Sequence, residues 1–137
     1  MRNKITIEKI GYITFFENIT KVNVKDCFEE DGNLVYIIEN ESVGKAIGRG
    51  GKNIKIVGNK FKKSIKVVGY DKDINNFIKN LAYPVKISNI YKGEDNTINL
   101  KTEDYVSRGL LIGRGGKNLK TMQKIISKYH DVKLKVL

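Results

Sequence analysis

The spacing of apolar residues in the first half of the chain predicts a helix followed by two strands. Apolar side chains recur at every third position from Ile7 to Phe16, which indicates an opening helix. Apolar and polar residues then alternate over Val22–Phe28, as in a strand. The triplet at 31–33, Asp-Gly-Asn, has the composition of a turn, and the apolar run Leu34–Ile38 predicts a second, buried strand.

A glycine-rich segment at 48–51 separates two further helical patterns. Ser42–Ile47 predicts a short helix before this segment, and the apolar positions between 54 and 61 fall on one face of a helix after it. Ser64–Val68, rich in β-branched residues, predicts a closing strand.

The second half of the chain repeats this order of elements. Apolar residues at i, i+3, i+4 and i+7 from Ile74 to Leu81 predict a helix that ends before Pro84. Strands are then predicted over Val85–Tyr91 and Thr97–Lys101, a short helix over Ser107–Ile112, a longer helix buried through Leu119, Met122, Ile126 and Tyr129, and a last strand over Val132–Val136.

The two halves also share a sequence. Ile47–Asn53 reads IGRGGKN, and the same seven residues recur 65 positions later as Ile112–Asn118. A repeat present twice suggests two small domains, because a solenoid normally needs three or more units. The sequence therefore predicts two α+β domains, residues 1–70 and 71–137.

The positive charge lies in the same two segments. The chain of 137 residues has a formal net charge of +11, which indicates a polyanion as partner. Ser42–Tyr70 contributes +8 and Tyr105–Leu137 contributes +7, so the remainder carries −4. The charge thus surrounds each copy of the glycine-rich segment.

Several kinds of chemistry lack the residues they need. The single cysteine, Cys27, is interpreted as a core-facing strand residue, and the single histidine, His130, as a helix-capping or surface residue. These two residues form neither a metal-ligand set nor a catalytic pair. We therefore expect no enzyme activity, no cofactor, no metal and no small-molecule substrate.

No targeting or membrane segment is predicted. Met1–Lys9 alternates apolar and polar residues, unlike the apolar block of a signal peptide. Apolar runs such as Leu34–Ile38 are far too short to span a bilayer. The expectation is a cytoplasmic protein that does not contact membranes.

The repeated loop has two interpretations. Glycines can serve a tight turn between helices, or they can let a phosphate backbone approach the main chain at a helix N-terminus. Two identical copies, each with Arg and Lys and an acid-free flank, favour phosphate contact. A nucleotide-binding P-loop does not fit, because Asn53 follows Gly51-Lys52 and Ala46 stands where the first glycine is needed.

The loop residues resemble those of KH domains. Ile47–Ile54 fits the signature I-G-x-x-G-x-x-I, and Ile112–Leu119 fits it with leucine at the last position. The resemblance implies that each GXXG loop clamps about four nucleotides of single-stranded RNA. The element order resembles the type II KH topology, a small mixed three-stranded sheet packed against three helices.

Two such domains with almost no linker resemble the archaeal NusA-type transcription factor family. That resemblance implies a transcription elongation, termination or antitermination factor, with RNA polymerase or its elongation complex as a further partner. Bacterial NusA proteins add a polymerase-binding region and an S1 domain that this sequence does not show. Two alternatives stay open: a ribosome-associated or rRNA-processing KH protein, and a protein-interaction platform that does not bind RNA.

The resemblance also implies which residues contact RNA. Bases are expected in an apolar groove beside each loop, lined by Ile47 and Ile54 in one copy and by Ile112 and Leu119 in the other. The expected RNA-binding residues are Gly48, Arg49, Gly50, Gly51, Lys52, Asn53 and Lys55 in the first copy and Gly113, Arg114, Gly115, Gly116, Lys117, Asn118 and Lys120 in the second.

Overall fold

The structure is a computed structural model that describes residues 6–137. Its internal contacts divide these residues into two compact units that meet between Asp71 and Lys72. We call residues 6–71 the first unit and residues 72–137 the second unit. Each unit runs helix, strand, strand, helix, glycine loop, helix, strand, as the sequence predicts.

The first unit contains three α-helices and three strands. They are α1 Ile7–Thr20, β1 Asp26–Glu30, β2 Asn33–Glu39, α2 Val43–Ile47, α3 Lys52–Phe61 and β3 Ser64–Tyr70. The second unit contains the same number of each. They are α4 Ile74–Ala82, β4 Asn89–Lys92, β5 Thr97–Lys101, α5 Tyr105–Ile112, α6 Lys117–Tyr129 and β6 Lys133–Val136.

Both sheets are mixed and have the same topology. The central strand β2 pairs antiparallel with β1 and parallel with β3. In the second unit, β5 pairs antiparallel with β4 and parallel with β6. The predicted α+β class, with a small mixed three-stranded sheet and three helices in each unit, is confirmed.

The last strand of each sheet lies at an edge, so alternate backbone groups of that strand point away from the sheet. The Ser64 N–H donates to the Gly32 carbonyl at 3.1 Å, and the Lys133 N–H donates to the Asn96 carbonyl at 2.9 Å, so both point into the sheet. Successive residues of a strand point their backbone groups in opposite directions. The N–H groups of Ile65 and Leu134 therefore point away from the sheet.

Aromatic stacking holds α1 on the sheet of the first unit. The rings of Phe16 and Tyr36 stack with centroids 4.0 Å apart, and neither residue is exposed. The Tyr36 hydroxyl donates to the Tyr12 carbonyl at 2.9 Å. Phe61 at the end of α3 meets Tyr12 edge to face. Ring packing of this kind adds about 0.5–1.5 kcal/mol per pair beyond the buried area.

The core of the second unit joins α4 and α6. Phe77 of α4 and Tyr129 of α6 meet edge to face with centroids 5.6 Å apart. The buried apolar residues of this unit are Phe77, Ile78, Leu81, Ala82, Ile98, Leu100, Leu111, Met122, Ile125, Ile126 and Leu134.

Two predicted strands begin later than expected. In the segment before β1, the Val22 N–H donates to Thr20 Oγ1 and the Val24 N–H to Glu17 Oε2. These backbone groups bond to side chains of α1 and not to a neighbouring strand. The segment therefore does not form a strand, although its apolar and polar residues alternate. The segment Val85–Ser88 likewise precedes β4, and its Val85 N–H closes a turn onto the Ala82 carbonyl.

The opening helix is confirmed, but its buried face differs from the repeated apolar positions. Ile7 is 86% exposed and Ile10 is 53% exposed, whereas Phe16 is fully buried. Three residues advance a helix by about 300°, so each step of such a pattern falls about 60° short of a full turn. Positions 7 and 16 therefore lie on opposite sides of α1.

The interpretations of Cys27 and His130 are confirmed. Cys27 lies in β1 with 2% of its surface exposed, and burial raises the pKa of its thiol to about 12. A thiol in that environment stays protonated at neutral pH. His130 is the C-cap of α6, and its N–H donates to the Ile126 carbonyl at 2.8 Å.

No helix within residues 6–137 is long and apolar enough to cross a membrane.

Candidate nucleic-acid interface

The two glycine loops adopt the same backbone conformation. Three glycines in each loop have positive φ, where side chains are disfavoured. Their φ and ψ angles are 78° and 167° at Gly48, 62° and 20° at Gly50, 76° and 18° at Gly51, 79° and 167° at Gly113, 63° and 18° at Gly115, and 76° and 13° at Gly116. Identical residues thus give one loop structure in two different surroundings.

The first glycine of each loop is needed for internal packing. A Cβ atom on Gly48 would lie 2.9 Å from Asn53 Nδ2, and one on Gly113 would lie 2.7 Å from the Asn118 backbone nitrogen. The conformation itself, with ψ near 167°, is essentially restricted to glycine. The tight-turn interpretation of the loop therefore holds at these two positions.

The other loop glycines border open space. A Cβ atom on Gly50, Gly51 or Gly115 would meet no atom within 4 Å. One on Gly116 would meet only the end of the Lys120 side chain, at 3.8 Å. The main chain of these residues is thus accessible from outside, as a backbone-binding loop requires.

An asparagine closes each loop from inside. Asn53 Nδ2 donates to the Lys45 carbonyl at 3.2 Å, and Asn118 Nδ2 donates to the Leu111 carbonyl at 2.8 Å. Each bond ties the first turn of one helix to the end of the preceding helix. These two predicted RNA-binding residues use their amide nitrogens to hold the loop in shape.

The helix after each loop begins without a side-chain cap. Gly51 is the N-cap of α3 and Gly116 is the N-cap of α6, and neither first turn contains an acidic residue. Backbone N–H groups at a helix N-terminus favour anions through their partial positive charge. Both helices are therefore suited to a phosphate at the loop.

Exposed basic side chains surround these N-termini. Arg49 and Arg114 lie inside the loops, and both are exposed. The lysines of the first turns are also exposed: Lys52 and Lys55 in α3, and Lys117 and Lys120 in α6. The structure thus brings together the basic residues that the sequence predicts around each loop.

The predicted groove residues are half-buried. Ile47 and Ile54 in the first unit, and Ile112 and Leu119 in the second, each keep part of their surface exposed. In the first unit a cavity of about 570 Å³ extends from Ile54 along α3 to the start of β3. It is lined by Gly32, Ile54, Lys55, Gly58, Asn59, Lys62, Lys63, Ser64 and Ile65.

Four residues of this region did not stand out in the sequence. Asn59, Lys62 and Lys63 line the cavity of the first unit, and Gln123 occupies the matching side of α6. Lys63 Nζ also forms an ion pair with Glu29 at 2.8 Å, and the hydrogen bond to that carboxylate raises the pKa of the lysine. Contact of a lysine with the cavity depends on the turn after α3, which apolar periodicity does not describe.

Residues 6–137 contain no group of three or more His, Cys, Asp or Glu side chains placed to bind a metal ion.

Comparison with known proteins places the chain in a family. A family model described as KH domain matches residues 10–107, which include the whole first loop. The probable transcription termination protein NusA of Methanocaldococcus jannaschii is 33% identical over 98% of this chain and 75% of that protein. The chain belongs to the KH-domain family of archaeal NusA proteins.

Other relatives also align with nearly the whole chain. The probable transcription termination protein NusA of Methanococcus vannielii is 32% identical over 97% of this chain and 78% of that protein. The protein of that name from Halobacterium salinarum is 25% identical over 96% of both chains. A solved structure, the crystal structure of APE1850, is similar with a TM-score of 0.77 and 34% identity over 97% of this chain and all of that chain.

Proposed function

We propose that this KH-domain protein clamps single-stranded RNA with both GXXG loops and acts as a transcription elongation, termination or antitermination factor. In this proposal residues 1–70 and 71–137 are two type II KH domains. The observation that carries it is the shared loop structure, with outward glycines and an uncapped, basic helix N-terminus after each. A loop kept only as a turn would need glycine for its positive φ, but it would not need an uncapped helix N-terminus surrounded by basic residues.

Each loop would hold RNA through its sugar-phosphate backbone. The bare main chain at Gly50 and Gly115 lets a phosphate approach, and the first N–H groups of α3 and α6 donate to its oxygens. Arg49 and Arg114 add charge-assisted bonds from within the loops. These contacts do not depend on base identity, so they supply affinity and position for the strand.

The bases would lie beside the loop in the groove. In the first unit the cavity is lined by two apolar side chains, Ile54 and Ile65, and by the basic residues Lys55, Lys62 and Lys63. Its volume of about 570 Å³ is within the range of small-molecule sites, roughly 300–1,000 Å³. This supports binding of one or two bases next to the first loop.

Two loops in one chain make the site bivalent. Once one loop holds a strand, the second contact becomes intramolecular. Avidity then exceeds the affinity of either loop by roughly 10²–10⁴ if one strand reaches both. Loss of either loop should therefore weaken binding well beyond the twofold change that independent sites would give.

The transcription role rests on the relatives. The proteins from M. jannaschii and M. vannielii are each named as a probable transcription termination protein NusA, and each aligns with nearly all of this chain. The presence of both loops in this chain supports the same use. Co-purification with RNA polymerase, and not with ribosomal subunits, is the expected outcome for this role.

Fluorescence anisotropy with a labelled RNA tests the clamp. A single-stranded RNA of about a dozen nucleotides offers room for two four-nucleotide contacts. Loop variants Arg49→Asp with Gly50→Asp, and Arg114→Asp with Gly115→Asp, should each reduce affinity more than about tenfold, and their combination should abolish binding. Duplex RNA should bind more weakly than the single strand.

A charge-matched variant separates the loops from general electrostatics. Lys21→Asp, Asn23→Asp, Lys86→Asp and Asn89→Asp change four exposed residues outside the loops and shift the net charge as much as the combined loop variant. We expect this control to keep its affinity within about threefold at physiological salt, where distant exposed charges are screened. Equal losses in control and loop variants would contradict the clamp.

A further inference from the structure

Gln123 joins the exposed edge of the second sheet to α6. Its Nε2 donates to the Val132 carbonyl at 2.9 Å, and its Oε1 accepts from the Leu134 N–H at 2.7 Å. The same nitrogen also donates to Ser127 Oγ at 2.8 Å. One side-chain amide thus pairs with two backbone groups at the outer edge of β6.

The first unit has no such side chain at the matching position. Gly58 lies five residues after Asn53, as Gln123 lies five residues after Asn118. Ile65 is the second residue of β3, as Leu134 is the second residue of β6. Within residues 6–137 no protein group accepts a hydrogen bond from the outward N–H of Ile65. Gly58 and Ile65 instead line the open cavity.

Because Gly58 has no side chain, it does not cover the edge of β3. A Cβ atom there would lie 3.1 Å from the Lys63 carbonyl oxygen and 3.5 Å from Ile65 Cγ1. The Lys63 carbonyl corresponds to that of Val132, since each precedes the first strand residue. In the first unit no side chain therefore covers the Ile65 N–H and the Lys63 carbonyl, the groups that correspond to those bonded by Gln123 in the second unit.

A primary amide has the hydrogen-bonding pattern of some nucleobases. It presents a carbonyl acceptor beside an amino donor. Adenine presents the same order with N1 and its N6 amino group, and cytosine with N3 and its N4 amino group. Gln123 therefore occupies the place that the pairing edge of such a base would take.

We infer that Gln123 closes the groove of the second unit to bases, so that the second loop binds only the sugar-phosphate backbone and the first unit alone discriminates among bases. This inference rests on the proposed RNA clamp. A base that entered the second groove would have to displace three hydrogen bonds that are already made. The first groove offers the same backbone pair with no internal competitor.

The test uses full-length proteins with one active loop. The protein with Arg114→Asp and Gly115→Asp reports on the first unit, and the protein with Arg49→Asp and Gly50→Asp reports on the second. Each is titrated with a single-stranded hexanucleotide of adenine. One position at a time is then changed to uracil or to an abasic site. Loss of a base contact made through two hydrogen bonds should lower the affinity of the first unit roughly 10-fold at one position.

The second unit should vary by less than about twofold across the same RNAs, since phosphate contacts carry no sequence information. Replacing Gln123→Gly in that protein should create discrimination against uracil and abasic RNA. The substitution Gly58→Gln in the protein whose first loop is intact should remove the discrimination among bases, while the salt dependence of binding stays unchanged. Equal discrimination by the two units with Gln123 intact would overturn the inference.

Amide hydrogen exchange on the unmodified protein avoids variants that fold poorly. The Leu134 amide should be protected without RNA and gain no further protection with it. The Ile65 amide should exchange readily without RNA and slow more than about tenfold in the complex, because it gains an acceptor. New protection at Leu134, or none at Ile65, would contradict the inference.

The RNA clamp and the role of Gln123 can be disproved separately. If neither loop variant changes RNA affinity, the clamp is wrong and the inference falls with it. If the loops carry binding but Leu134 responds to RNA as Ile65 does, the clamp stands and only the role of Gln123 is wrong.

Discussion

The two units carry the same loop but differ in the helix and strand that follow it. Seven identical residues give φ and ψ angles that agree within a few degrees in both copies. In contrast, α3 has 10 residues and ends close to β3, whereas α6 has 13 residues and a glutamine bonded to β6. The geometry of the loop is thus set by a short local sequence, while the groove depends on residues farther along the chain.

The comparison also separates two roles of glycine within one motif. Gly48 and Gly113 are required because a side chain would strike the asparagine that closes the loop. Gly50 and Gly115 face open space, so their lack of a side chain does not serve internal packing. Stability should depend more strongly on the first pair, because the second pair is constrained by positive φ alone, and RNA binding should depend on the second pair.

The largest expected effect is the loss of stability on Gly113→Ala. Backbone strain at this φ and ψ costs about 1–3 kcal/mol, and the close approach to the Asn118 backbone adds to it. Gly48→Ala should cost less, because the nearest atom there belongs to a side chain that can move. Urea denaturation of the two variants measures the difference.

Gly109→Ala is the matched control for that experiment. Gly109 lies inside α5 with no atom within 4 Å of an added Cβ, so alanine should stabilise the helix by up to about 1 kcal/mol. If Gly113→Ala and Gly109→Ala shift the free energy of unfolding in the same direction, the packing role of the first loop glycine is wrong.

The asparagines should show a smaller difference of the same kind. Asn118→Ala removes a 2.8 Å bond in a partly buried site, whereas Asn53→Ala removes a 3.2 Å bond in an exposed one. A typical hydrogen bond contributes about 0.5–1.5 kcal/mol, so we expect values near the upper end for Asn118 and near the lower end for Asn53. Thermal denaturation should show a larger loss of stability for Asn118→Ala than for Asn53→Ala. A larger loss for Asn53→Ala would contradict this ranking of the two hydrogen bonds.

The smallest expected effects come from the loop arginines taken singly. Arg49→Ala and Arg114→Ala should each lower RNA affinity a few-fold and reduce the slope of log affinity against log salt by about 0.7, as for one phosphate contact to a single strand. Lys135→Ala removes an exposed charge on β6 as the control and should leave the slope nearly unchanged. A changed slope for only one of the arginines would mean that the loops do not bind phosphate alike.

The sequence predicted most of this architecture because its apolar spacing and turn residues agree. It placed the β1–β2 turn correctly, since Asp31 and Gly32 both adopt positive φ there. It extended β1 too far back to Val22, because the backbone there bonds to Thr20 and Glu17, side chains that no alternation pattern reveals. It also assigned Ile7 to the apolar stripe of α1, although a step of three residues does not follow one helix face.

The loop could be predicted from its amino-acid sequence, but the groove could not. Repetition of IGRGGKN, together with clustered positive charge, identified both loops. Gln123 is an unremarkable polar residue in a basic helix until the register of β6 places the Val132 carbonyl and Leu134 N–H beside it. Contacts between elements distant in sequence required the structure.

The most direct test of the two-loop clamp is an NMR titration of the protein with single-stranded RNA of about a dozen nucleotides. Amide resonances of Gly50, Gly51, Gly115 and Gly116 report on both loops at once. We expect large shifts at all four amides with single-stranded RNA and small shifts with duplex RNA. Shifts confined to one loop would contradict the two-loop clamp, and binding that leaves all four amides unchanged would mean that RNA is held elsewhere.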